Sequence, residues 1–216
     1  MLKFLLISLT FALSLATFGV DFSAYQGALT NETTQCFVGN EKTFAIVELW
    51  EANGHFNPYF TANYELLRAY GIRRVDAYAT LCDNYVVESI CSSIAQMLPG
   101  DFMGQVWFEI GPHSDCRTGD IGSRIPFIEN IVRSCQQHGL TVGIYSSADD
   151  WANVVGSQGS SSGVLTPLPL WYAHYDNTPN FGDYAVAGFG GWPAPALKQY
   201  AGDDELCGIS VNLNFY

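Results

Sequence analysis

Residues 44–80 read FAIVELWEANGHFNPYFTANYELLRAYGIRRVDAYAT, and three consecutive segments of that stretch decide the fold. Residues 44–49 are a short apolar run of branched and aromatic side chains, the composition of a buried strand. Residues 58–70 have the spacing of an amphipathic helix. Asn57 stands before Pro58 as N-cap, Pro58 takes the first helical position, and Gly71 follows the last turn. Residues 73–80 then return to strand character, and a parallel pair of strands needs such a crossover between them. Working outward, the same alternation fills the chain. Further strands are expected at 18–22, 105–110, 141–145, 170–174, 196–200 and 209–214, and further helices at 84–98, 123–138 and 148–155. Residues 156–163, rich in Ser and Gly, read as a surface loop. Eight strands with only about four helices imply an α/β fold. The expected form is a single modified (β/α) barrel of about eight strands with an incomplete helix ring.

Composition sets the outer bounds. The chain has 216 residues, 48% of them hydrophobic, including 14 Phe, 12 Tyr and 5 Trp, so it has the apolar surface for a sizeable core and is not disordered. Nine Lys plus Arg against 21 Asp plus Glu give a net charge of −12. No basic face can neutralise many phosphates, which excludes nucleic acid and anionic membrane surfaces as partners and points to a neutral ligand. Residues 1–16 have the pattern of a secretory signal: Lys3, an apolar run over residues 4–15, and the small-residue end Ser14-Leu15-Ala16. That run is too short to span a bilayer, and no later segment is long or apolar enough, so no membrane span is expected. The mature domain is read as residues 17–216 of a secreted, extracellular protein. Cys36, Cys82, Cys91, Cys116, Cys135 and Cys207 lack the spacing of a zinc site and suggest up to three disulfides, with the pairing open. Asn31-Glu32-Thr33 is an N-glycosylation sequon.

In a barrel of this kind the chemistry sits at the carboxyl ends of the strands. Asp21 ends the first strand, Glu48 lies near the end of the second, Asp76 is on the third, and Glu109 is near the end of the fourth. Side chains alternate along a strand, so Asp76 shares a face with Tyr78, and Trp107 shares one with Glu109 and Gly111. His174 alternates away from Trp171 and Tyr175 and is assigned to the helix-facing side. Asp149 and Asp150 are read as capping and first-turn charge.

Several of these segments form a recognisable series. Gly19-Val20-Asp21-Phe22-Ser23-Ala24-Tyr25-Gln26 resembles the D-x-S-x-x-Q opening of the Chalaropsis-type lysozymes, glycoside hydrolase family 25. The resemblance continues, in order, through residues 48–54 with Asn57-Pro58, Val75-Asp76-Ala77-Tyr78, Val106-Trp107-Phe108-Glu109-Ile110 and Gly143-Ile144-Tyr145-Ser146. It ends with Leu170-Trp171-Tyr172-Ala173-His174-Tyr175, Lys198-Gln199-Tyr200 and Val211-Asn212-Leu213-Asn214. The cysteines and the final Asn-Phe-Tyr look most like the secreted invertebrate branch of that family. A chitinase-like barrel lacks support, since the fourth strand has no D-x-x-D-x-D-x-E run. The resemblance implies a muramidase barrel acting on bacterial peptidoglycan in defence or digestion, as a monomer, with no metal or organic cofactor. It places Asp21 and Glu109 as the catalytic candidates. It places Glu48, Asp76, Tyr78, Tyr145, Trp171, Tyr175 and Asn212 in the substrate groove, with Gln199 and Tyr200 nearby.

The catalytic set departs from the family pattern. The family's W-x-D-x-E on the fourth strand is Trp107-Phe108-Glu109-Ile110-Gly111 here, so glycine stands at the proton donor. The D-x-N of the last strand is Asn212-Leu213-Asn214, an amide in place of a charge. Residues two apart on a strand are separated by roughly 6–7 Å, and an acid must come within about 3 Å of the oxygen it protonates, so Glu109 does not stand in for position 111. The expectation is a retained sugar groove with hydrolysis weakened or lost, or a glycan-binding or regulatory protein with no catalysis.

Overall fold

The computed structural model describes residues 16–82, 86–112 and 120–216. All but Ala16 of the signal-like segment, the start of the helix read over 84–98, and Cys116 lie outside the described residues. Strands β1 (Phe18–Phe22), β2 (Lys42–Trp50), β3 (Arg74–Thr80), β4 (Val106–Glu109), β5 (Val142–Ser146), β6 (Leu170–Ala173), β7 (Leu197–Leu206) and β8 (Ile209–Phe215) close into one barrel in sequence order. β1 to β7 pair parallel, and β8 runs antiparallel between β7 and β1. Every expected strand is present, the seventh extended by six residues beyond position 200.

Helices α1 (Asn31–Gly39), α2 (Phe60–Ala69), α3 (Val87–Met97), α4 (Ile121–Gln137), α5 (Ala148–Val155) and the single turn α6 (Tyr184–Ala187) follow β1 to β6 in turn. The ring is incomplete, as expected, and the gap falls between β7 and β8, which are joined directly. Cys207 (φ 58°) and Gly208 (φ 82°) make that two-residue turn, both left-handed as a tight hairpin requires. Two helices were not foreseen. The buried positions of α1 are Thr33, Thr34 and Phe37, too polar a stripe to show helical periodicity, and Thr30 caps it by accepting from the Thr33 N–H at 3.1 Å. Asn31, the sequon asparagine, is exposed at its start. α2 begins at Phe60 rather than at Pro58, since the Asn57 carbonyl oxygen of its side chain accepts from Tyr59 N–H and its amide donates to Glu48 O, making a turn before the helix.

Alternation along each strand builds two cores. Val20, Phe22, Ala45, Val47, Val106, Phe108 and Ile144 face outward against the helices. Phe44, Ile46, Trp107, Trp171 and Leu197 fill the barrel, with Tyr78 and Tyr145 packed on them. Small residues make room for the largest of these: a Cβ at Gly19 or Gly143 would lie 2.6 Å from the rings of Phe44 and Trp107. Disulfides Cys36–Cys207 and Cys91–Cys135 tie α1 to the β7–β8 turn and α3 to α4. The first closes a sequence separation of 171 residues. Replacing Cys36 and Cys207 together by serine is expected to lower stability by about 2–4 kcal/mol, read as a fall in the urea midpoint at unchanged slope.

Candidate active site

The carboxyl ends of the strands surround a small cavity lined by Asp21, Tyr78, Glu109, Tyr145, Trp171, Gln199 and Asn212. Asp21, at 3% exposure, is the centre. Three neutral amides donate to its carboxylate: Gln199 Nε2 at 2.7 Å and Asn214 Nδ2 at 2.6 Å to one oxygen, Asn212 Nδ2 at 2.9 Å to the other. Burial outweighs these bonds and holds Asp21 at a pKa of about 6, with the Glu109 charge adding to the rise. Glu109 stands on β4 at the cavity wall and accepts from the Thr80 hydroxyl at 2.5 Å.

Glu48 does not line this cavity. It is buried beside it, with Oε2 accepting the Ala24 N–H at 2.8 Å and the Tyr78 hydroxyl donating to the same carboxylate. Burial, then repulsion from Glu109 and Glu51, lifts it to about 7 against those bonds. Its geometry is that of a brace holding the turn after β1 against β2 and β3.

Of the aromatic candidates, Tyr78, Tyr145 and Trp171 line this cavity, and Tyr175 stands beside it. Trp171 forms the floor, donating from Nε1 to Asn214 Oδ1 at 2.8 Å and packing on Tyr145 with ring centroids 4.3 Å apart. The Tyr145 and Tyr175 hydroxyls both donate to Gln199 Oε1 at 2.7 Å. Tyr78 and Tyr145 are pushed well above the ordinary tyrosine range by burial. Tyr175 remains 57% exposed on the rim.

Asp76 requires a correction. It lies near the opposite end of β3, buried in the barrel floor, where Arg74 Nη2 (2.9 Å), the Gln105 N–H (3.0 Å) and Trp107 Nε1 (3.0 Å) all donate to it. Alternation had given its face correctly, but two residues along a strand move a side chain roughly 6–7 Å away from the mouth. Tyr200 likewise does not line the cavity. His174 keeps the helix-facing side assigned to it: its ring lies 5.8 Å from that of Tyr172 in the outer core and its Nδ1 meets Asp183 at 2.5 Å, while its edge also reaches the cavity beside Tyr175. Asn214 and Thr80 were not singled out. Asn214 shared the face of Asn212 on the last strand, a signal that was available; Thr80 carried none.

One group among the described residues, His174, Asp176 and Asp183, brings potential metal-ligating atoms within 4.8 Å of one another. The cation there is the chain's own: the fully buried Lys198 Nζ pairs with Asp176 at 2.8 Å and Asp183 at 3.1 Å.

Fold and site together define a β/α barrel with an acidic, aromatic-lined cavity at its carboxyl mouth. A family model described as "Lysozyme-like protein 1" matches residues 13–200. Counting factor 50 of Dictyostelium discoideum is 32% identical over 91% of the chain, which spans 65% of that relative's length. Probable GH family 25 lysozyme 2 of the same organism is 31% identical, with 92% of this chain and 90% of the relative covered. The structure of muramidase from Acremonium alcalophilum superposes with a TM-score of 0.71 at 20% identity, covering 91% of this chain and 92% of that one, and so shares the fold. The chain therefore belongs to the lysozyme-like proteins of glycoside hydrolase family 25.

Two buried carboxyls with raised pKa values make stability depend on pH. The folded chain holds these protons up to about pH 6 at Asp21 and about 7 at Glu48, whereas the ordinary values are 3.8 and 4.5. The native state therefore binds more protons across that window, and these two groups make stability fall as pH rises from about 4 to about 7. The loss is on the order of 3 kcal/mol per group. Urea midpoints should be higher at pH 5 than at pH 7.5, and Glu48→Gln should flatten that difference.

Proposed function

We propose that this protein is a secreted, monomeric peptidoglycan-recognising member of its family, with residues 17–216 as the mature domain, whose hydrolysis is weakened or lost. It would serve antibacterial defence or digestion. The carrying observation is the state of the acidic cluster. Retaining and inverting glycosidases alike need a carboxylic acid at the leaving oxygen and a second group that stabilises the oxocarbenium-like centre. Here Asp21 is in place for the second role. Glu109 is tied back to Thr80 and lies one alternation short of Gly111. Asn212, in the position of an expected carboxylate, donates to Asp21 instead of carrying charge.

The groove itself is retained. Trp171, Tyr145 and Tyr175 offer aromatic faces, and Gln199, Asn212 and the tyrosine hydroxyls supply hydrogen bonds, the combination that holds a sugar ring. Secretion is supported by the signal-like residues 1–16 and by two disulfides among the described residues, since such bonds persist in oxidising compartments. The second reading is a purely non-catalytic glycan-binding or regulatory protein. A relative named for a counting factor rather than for lysozyme favours giving it a place.

The test pairs a pulldown on insoluble peptidoglycan with a reducing-sugar release assay. Binding with release at background is expected for the native protein, and the double substitution Gly111→Glu with Asn212→Asp should raise release by ~10²- to 10⁴-fold, the span of one positioned acid or base. Wall clearing by the native protein at ordinary lysozyme rates, abolished by Glu109→Gln, would overturn the reading.

A further inference from the structure

A second cavity, of about 230 Å³, opens beside the central one between the ends of β5 and β6, lined by Tyr145, Ser147, Asp150, Ala173, His174 and Tyr175. Tyr145 belongs to both, so the two form one continuous surface. We infer that this cavity is a subsite for a primary ammonium group carried beside the glycan, the free side-chain amine of a peptidoglycan stem peptide. The inference rests on the reading of the groove as a peptidoglycan site.

The walls are rigid and their charge is one-sided. Tyr145 and Tyr175 are both fixed through Gln199 Oε1, so their rings form set faces rather than mobile flaps. Asp150 is held by the helix cap: Ser147 Oγ donates to its Oδ2 at 2.7 Å and accepts its N–H at 3.0 Å. Its Oδ1 is left for a ligand, and among the described residues no lysine or arginine pairs with it. His174 Nδ1 is engaged by Asp183 at 2.5 Å, which leaves Nε2 as its other polar atom. Lys198, 0% exposed, is committed to Asp176 and Asp183. A carboxylate set among tyrosine faces, with no lysine or arginine in the lining and the one histidine there, His174, already engaged by Asp183, attracts an ammonium both by charge and through the rings. It repels a lactyl carboxylate or a phosphate, in keeping with the chain's charge of −12. A neutral sugar hydroxyl would use the same hydrogen bonds but would leave the carboxylate uncompensated.

The experiment is calorimetric titration of the full chain with three probes: a disaccharide muropeptide whose stem ends in lysine, the same compound acetylated on that amine, and the peptide-free disaccharide. The free amine should bind about 10-fold more tightly than the acetylated form, a gain of ~1.4 kcal/mol. Asp150→Asn should reduce that ratio to below about 2-fold, while Asp149→Asn, in the same helical turn but outside the lining, should leave it unchanged. Equal binding of free and acetylated forms by the native chain overturns the subsite while leaving the glycan reading standing if the disaccharide binds. Failure of all three probes to bind overturns both. The native comparison decides the matter even if Asp150→Asn does not fold, and equal loss of the ratio in both variants also counts against the subsite.

Discussion

One buried carboxylate organises this molecule. Asp21 sits on β1 where the barrel closes against β8 and β7, and its charge is met by amide N–H groups from Gln199, Asn212 and Asn214 rather than by a cation. A carboxylate in such a place is costly to bury unless its lone pairs are filled. Three donors from the two strands of the closing hairpin fill them, so the same bonds that keep the acid in the interior also fix how β7 and β8 join β1. Asn214 passes the constraint on by accepting from Trp171, which carries the floor of the cavity, and Gln199 passes it to the two rim tyrosines. The cavity surface is thus a continuation of the network around one acid.

The amide at position 212 then has a structural meaning as well as a chemical one. An aspartate there would set a second negative charge about 3 Å from Asp21, a like-charge pair of the kind that forces one member to hold a proton. Asn212 removes that repulsion and adds a donor. The site thus gains compatibility with burial by carrying one charge fewer at its centre. At the other end of the barrel the opposite solution is used. Asp76 faces Arg74 and Trp107 Nε1, and Arg74 lies 4.7 Å from the Tyr216 ring, so the floor is closed by an ion pair and stacked aromatics that have no part in the mouth.

The strands were legible because each is a short apolar run bounded by turn residues, and their number against the number of helices gave the barrel with its gap. α1 was not, because two of its three buried positions are threonines that bond within the helix start instead of forming an apolar stripe. Of the candidate site, the residues that cluster are those at strand ends, where chemistry-bearing types stand out. Period two tells which face a side chain takes but not how far along the barrel it sits, which is why Asp76 was placed with Tyr78. The partners of Asp21 stand in matched segments, Gln199 on the seventh strand and Asn212 and Asn214 in the last, yet only the closed barrel turns all three amides onto one carboxylate. The second cavity is assembled from a helix cap, a strand end and a loop separated in sequence, and only the closed fold brings Ser147, Asp150 and His174 together.

The proton inventory of the mouth bears on catalysis independently of any alignment. Acid–base catalysis works by pushing two nearby groups apart in proton affinity, so that one is an acid while the other is charged. Here Asp21 and Glu48 are both pushed upward, and by the same cause, burial. Of the two, Glu48 is pushed the higher, to about 7, and its carboxyl accepts from the Ala24 N–H and from the hydroxyl of Tyr78, which lines the cavity in its place. The two acids are therefore raised together rather than apart, and what their shared burial shapes directly is the pH dependence of the fold's stability.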